Sequence, residues 1–159
     1  MNKLAVAALA LLAVIGSMAR PAHAVEEILS YRSHIKVERD ASLLVTETIQ
    51  VRAEGRRIRR GIFRWFPTRY NAPLGGRVKI PFEVVSVLRD GKPEPWFTKS
   101  EGDGITVYAG QKDVLLRPGV YTYTFVFRTS RQIGFFKDFD ELYFNAIGHK
   151  WLFTIRQAT

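Results

Sequence analysis

From residue 43 the chain alternates between apolar and polar side chains. The stretch "LLVTETIQVRA" sets Leu43, Val45, Ile49, Val51 and Ala53 on one face and Leu44, Thr46, Thr48, Gln50 and Arg52 on the other. A period of two is the pattern of a strand with one buried face. "YTYTFVFR" (121–128) repeats it, with Tyr121, Tyr123, Phe125 and Phe127 against Thr122, Thr124, Val126 and Arg128. Less regular runs predict further strands over 28–38, 77–89, 105–109, 113–117, 141–145 and 151–156. Within 77–89 the alternation slips at Val84 and Val85, which predicts a bulge, and Pro81 predicts a sheet edge. Turn residues fall between the runs: "RDAS" (39–42), "RDGKP" (89–93), "GDG" (102–104), "RPGV" (117–120) and "IGHK" (147–150). No segment after residue 24 sustains a helical period. The reading is all-β: an antiparallel β-sandwich, Greek-key-like, preceded by a helical signal peptide.

The first 24 residues follow another rule. Lys3 precedes the apolar run "LAVAALALLAVIG", and the small-residue site "AHA" closes it. That order predicts a cleavable export signal over 1–24 and one extracytoplasmic domain over 25–159. The chain has no cysteine. In an exported domain this leaves apolar burial, without disulfides, to hold the fold.

Charge changes the picture in one place. The whole chain carries 24 basic and 15 acidic residues, and the first 24 hold two of the basic ones. Nine of the remaining basic side chains lie within 52–79 (Arg52, Arg56, Arg57, Arg59, Arg60, Arg64, Arg69, Arg77 and Lys79), against the single acid Glu54. Glu47 meanwhile interrupts the apolar face of its strand. A buried carboxylate is costly unless paired, so Arg60 or Arg64 is expected to turn inward to it as a structural ion pair. The solvated remainder, Arg56, Arg57, Arg59, Trp65 and Arg69, forms a candidate site for an anionic ligand. Guanidinium forks suit phosphates and carboxylates, and an aromatic side chain beside them suits stacking or the headgroup layer.

The order of "SYRSHIKVERDASLLVTETIQV", "RRIRRGIFRWFP", "VVSVLRDGKPEPW", "DVLLRPGVYTYTFVF" and "IGFFKDFDELYFNAIGHKWLFTI" resembles the N-terminal extracytoplasmic domain of a bacterial family of predicted membrane proteins, the domain-of-unknown-function family numbered 2207. The resemblance implies an extracytoplasmic β-sandwich followed by membrane spans, and it implies no activity. Relatives continue past the "WLFTI" strand, so the domain is expected to be incomplete at its C-terminal end and to join the membrane through a part beyond Thr159. A chain that truly stopped there would be secreted. Location at the extracytoplasmic face of the membrane, in the cell envelope, follows from the same resemblance.

Catalytic chemistry finds few residues. Beyond His23 there are only His34 and His149, far apart in sequence, and no cysteine, so no zinc set or thiol nucleophile assembles. "KDFDELYFN" gathers Asp138, Asp140, Glu141 and Asn145, a weak calcium candidate without Ca-loop spacing, and the residues a carboxylate-based glycan hydrolase would have to use. The function expected is a non-enzymatic binding module with no cofactor. Its partner is a protein, or an anionic surface made of lipid headgroups or envelope polymers. Nucleic acid is a poor match to an exported compartment.

Overall fold

The computed structural model describes residues 25–71 and 75–159; the export signal expected over 1–24 lies outside the described residues. The strands are β1 (Glu27–Val37), β2 (Leu43–Ala53), β3 (Gly61–Pro67), β4 (Arg69–Asn71), β5 (Arg77–Lys79), β6 (Phe82–Arg89), β7 (Lys92–Pro93), β8 (Trp96–Glu101), β9 (Gly104–Gly110), β10 (Gly119–Thr129), β11 (Ile133–Phe135) and β12 (Asp140–Leu142). Among the described residues there is no helix. An antiparallel five-stranded sheet has the order β1-β2-β10-β6-β7, and a three-stranded sheet has the order β3-β9-β8. Two short ribbons, β4-β5 and β11-β12, complete the set.

The alternation in β2 and β10 becomes one apolar wall. Pairing sets Val45 opposite Phe127, Ile49 opposite Tyr123 and Glu47 opposite Phe125, and all six side chains are buried. The three-stranded sheet closes over this wall with Phe66, Val107 and Ala109. Phe66 reaches across to Phe82 and Phe127, with ring centroids 4.6 Å from each. Each such ring contributes about 2–3 kcal/mol through burial, an upper figure because unfolded chains already hide some apolar surface.

Several sequence expectations change once the pairing is fixed. The bulge falls at the anticipated step: Val126 faces Ser86 and Phe127 faces Val84, which leaves Val85 as the extra residue. The single strand expected over 77–89 is instead two, β5 and β6, because Ile80 turns away to donate its N–H to the Thr68 carbonyl at 2.8 Å and Pro81 offers no N–H. Among the described residues the outer side of β6 carries only the two-residue β7, paired at Leu88 and Arg89, so the half that follows Pro81 is an edge. Residues 113–117 are not a strand. The Leu116 N–H makes a single tie to the Arg59 carbonyl (2.8 Å), and Leu116 is buried while Val114 and Leu115 face solvent. The strand expected over 141–145 shortens to β12, since Asn145 leaves the ladder and its Oδ1 accepts the Gly148 N–H at 2.8 Å.

The apolar stretch 151–156 does not form a ladder of its own either. With the residues after it, it runs parallel along the outer edge of β1. Ile28 and Tyr31 donate to the carbonyls of Thr154 and Gln157 at 3.0 and 2.8 Å, and Arg156 and Thr159 donate back to Ile28 and Tyr31 at 3.0 and 2.9 Å. The irregularity of β1 between Ile28 and Ser30 breaks this pairing into separate bridges. A sheet edge that would otherwise be bare is thus covered.

Candidate functional site

The inward half of the arginine cluster is Arg64. β3 pairs with β9 so that Ile62, Arg64 and Phe66 share the face toward the core, while Phe63 and Trp65 face out. Arg64 is 3% exposed and Glu47 0%. Nε and Nη2 of Arg64 donate to Oε2 and Oε1 of Glu47 at 2.8 and 2.9 Å, a two-pronged pair. Nη1 donates to the Trp65 carbonyl at 2.6 Å, and the rings of Phe66 and Trp151 lie 4.6 and 4.9 Å from the guanidinium. Burial alone would lower the Arg64 pKa, but the Glu47 charge outweighs it and the guanidinium holds its proton more firmly than an ordinary arginine. Arg60, the other candidate partner, is exposed and stays outside the core.

The loop before β3 contains an anion site already filled from within. The backbone N–H groups of Glu54, Arg56, Arg57 and Ile58 all donate to the carboxylate of Glu26, at 3.0, 3.1, 2.7 and 3.2 Å. Burial pushes the Glu26 pKa up, the four donors pull it down, and the net shift is downward. A carboxyl with a lowered folded pKa lends stability that is complete at neutral pH and is lost as acid carries it through its ordinary range and below. Glu26→Gln is therefore expected to cost about 1–2 kcal/mol at pH 7 and little near pH 3. Melting curves of both proteins across that range test this, and parallel curves would refute it.

With the loop backbone satisfied, its arginine side chains point outward. Arg56, Arg57, Arg59 and Arg60 are exposed, and among the described residues none of them forms an ion pair. Arg57 is steadied by the ring of Phe153, 5.2 Å from its guanidinium. Arg60 opens onto a groove of about 270 Å³ on the outer face of the three-stranded sheet, lined also by Phe63, Phe97, Tyr108 and Lys112. The register explains the row of rings, since Tyr108 lies opposite both Phe63 and Phe97. Phe97 stacks on Tyr108 with centroids 4.9 Å apart and planes 8° apart, and Phe63 leans in at 5.7 Å. Phe97 is 55% exposed and sits on the edge strand β8, which leaves its far face free. At the other end of the row Glu101 accepts from the hydroxyls of Thr106 (2.8 Å) and Tyr108 (3.0 Å), and these bonds lower its pKa, Thr106 first. The face thus has two cations, Arg60 and Lys112, at one end and, at the other, Glu101 within the field of Lys99 and Lys150.

The five residues proposed from sequence do not form one patch. Arg56, Arg57 and Arg59 lie before β3 and Arg69 lies after it, separated by a seven-residue strand of about 20 Å. Arg69 donates to the Gly102 carbonyl at 3.1 Å. Trp65 donates to the Glu101 carbonyl at 3.3 Å, and the Lys150 ammonium sits 3.9 Å over its ring. Phe97 was missed because β8 was not read as a strand, although Phe97, Lys99 and Glu101 alternate on one face; Tyr108, inside the strand expected over 105–109, was left without the neighbour that marks the row. The calcium and hydrolase candidates come apart as well. Asp140 and Glu141 are successive residues of β12, paired with Phe135 and Gly134, so their carboxylates leave on opposite faces. Among the described residues no three histidine or carboxylate side chains converge as a metal site requires, and Asp138 is exposed in the turn.

The family model described as "Predicted membrane protein (DUF2207) N-terminal domain" matches residues 27–159. The chain is 29% identical over 136 residues to the uncharacterized protein YciQ of Escherichia coli (strain K12), a match that takes in 81% of this chain and 22% of YciQ. It thus spans about a fifth of that relative's length. Two structures of yeast LTA4 hydrolase, native and with bestatin, align over 76% of this chain and 19% of theirs at 13% identity and a TM-score of 0.45. That likeness is too loose to carry a fold or an activity across.

Proposed function

Because this chain belongs to the family of predicted membrane proteins that share the DUF2207 N-terminal domain, we propose that it is the non-catalytic interaction module of such a protein, and that it takes an anionic, sugar-bearing polymer of the cell envelope. What carries the reading is Arg60, the residue through which the unpaired arginine loop meets the groove beneath Phe97 and Tyr108. Guanidinium groups bind carboxylate or phosphate on the polymer, and an aromatic ring face packs on the apolar face of a sugar. Phosphatidylglycerol headgroups supply the charge but no ring for Phe97, which disfavours them as the ligand of this face.

Titration with polygalacturonate, with inorganic polyphosphate and with phosphatidylglycerol vesicles tests this. Polygalacturonate is expected to bind with an affinity that falls steeply with salt. Arg56→Ala/Arg57→Ala/Arg59→Ala should weaken it by roughly tenfold or more, at about 0.5–1 kcal/mol for each exposed charge contact. Phe97→Ala should weaken polygalacturonate while leaving polyphosphate unchanged. Vesicle binding without polymer binding, lost in high salt and in the arginine variant, would replace the polymer by a lipid surface. Failure of polygalacturonate to bind would sink the proposal.

A further inference from the structure

The β11–β12 ribbon is rooted on the core through Ile133 and beyond it exposes an unusual amount of aromatic surface. Phe135 is 68% exposed, Phe139 61% and Tyr143 79%, with Phe136 and Leu142 also open to solvent. The turn between the strands is closed by the Phe136 N–H donating to the Phe139 carbonyl at 3.0 Å, and the two rings stack with centroids 4.8 Å apart. Gly134 allows this, because a methyl group there would lie 2.9 Å from the Phe136 ring. Water is a poor environment for three phenyl rings on one projecting ribbon, and such a cluster marks a contact.

The topology says which way the ribbon points. Thr129, the last residue of β10, lies opposite Leu43 and Phe82, and Leu43 lies opposite Val37. The ribbon begins four residues later, so it projects from the Val37 end of the large sheet. The segment 154–159 runs parallel to β1 and therefore travels toward that same end. The family model is described as the N-terminal domain of a predicted membrane protein; a membrane part joined after this segment would lie on the side to which it leads. Arg56, Arg57 and Arg59 follow Ala53, which pairs with Gly119 at the opposite end of the sheet.

From this placement we infer that the β11–β12 ribbon is a membrane-docking element, with Phe135, Phe136 and Phe139 seated in the headgroup and upper acyl region of a phospholipid bilayer and the arginine loop held away from it. Phenylalanine, like Trp and Leu, buries its side chain at the headgroup–acyl boundary when it lies on the apolar face of a surface-bound element. The ribbon's own charges fix the kind of contact. Lys137 is outnumbered by Asp138, Asp140 and Glu141, so the attraction is apolar, not electrostatic, and survives high salt. This contact is separate from the polymer site, and either can fail without the other.

The absence of cysteine from the chain makes the test direct. Phe139→Cys and, at the far end, Val114→Cys carry an environment-sensitive fluorophore on the full chain in vesicles of phosphatidylethanolamine and phosphatidylglycerol. With brominated acyl chains, quenching several-fold stronger at position 139 than at 114, unchanged in high salt, is expected. Equal quenching, quenching at 114 alone or quenching at neither position would overturn the inference. Asp138→Cys gives the same readout if loss of the Phe139 ring unfolds the turn. Phe135→Ser in the Asp138→Cys protein should reduce the quenching at position 138, whereas undiminished quenching would count against a seat for the rings.

Discussion

Replacing Glu47 by alanine is expected to lower the unfolding free energy by about 3–5 kcal/mol, because it strands the Arg64 guanidinium in the core without a counter-charge. Few single changes should cost this domain more. Arg64 is 3% exposed and is held by Glu47, the rings of Phe66 and Trp151 and the carbonyls of Trp65 and Ile147, so most of its shell is protein that cannot supply the lost charge. Arg64→Ala should cost a similar amount by leaving Glu47 alone. The double change Glu47→Leu/Arg64→Met is expected to regain most of the loss, since a buried ion pair is often no better than an apolar pair of like volume. Urea unfolding of the three variants decides the matter. A Glu47→Ala protein as stable as its parent would show that the pair contributes little and that the cavity relaxes around it.

Gly110→Ala is the second severe change, expected to cost about 3 kcal/mol or more. Gly110 lies opposite Gly61 where β3 and β9 meet, at φ 134° and 141°. A methyl group on Gly110 would lie 1.9 Å from the Arg60 carbonyl oxygen, and one on Gly61 would lie 1.8 Å from that of Ala109. Backbone, not a pliable side chain, stands in the way, so the ladder must separate. Gly102→Ala provides the control, because it also sits at positive φ (58°) but meets nothing within 4 Å. It should cost only about 1 kcal/mol. Thermal unfolding that ranks the two variants equally would exclude steric closure as the reason for the glycine pair. Since Gly61, Gly110 and Arg60 line the same groove, polygalacturonate binding should fall together with stability in Gly110→Ala.

How far the sequence carried can be traced through particular residues. β2 and β10 were legible because each packs one face on the core over its whole length, and the same alternation exposed Glu47 as an intruder that needed a cation. Which arginine answered it was not legible. Arg60 and Arg64 share parity, and only the break at Gly61 takes Arg60 out of the strand. β8 was hidden because every one of its residues is exposed. A strand at a sheet edge with no buried row lacks the signal that periodicity reads, and the aromatic row at Phe97 went with it. Residues 113–117 and 151–156 misled for the opposite reason, since apolar runs there are satisfied by one buried anchor or by lying against an existing edge.

The parallel contact between β1 and residues 154–159 also sets how the domain meets a mechanical pull. The chain enters β1 at Glu27, while the paired segment leaves beside Ser33 at Thr159, with the Ser33 N–H donating to the Thr159 carbonyl at 2.9 Å. Tension between these two points slides the strands along each other, so the bonds at Ile28, Tyr31 and Ser33 share the force together instead of opening one after another.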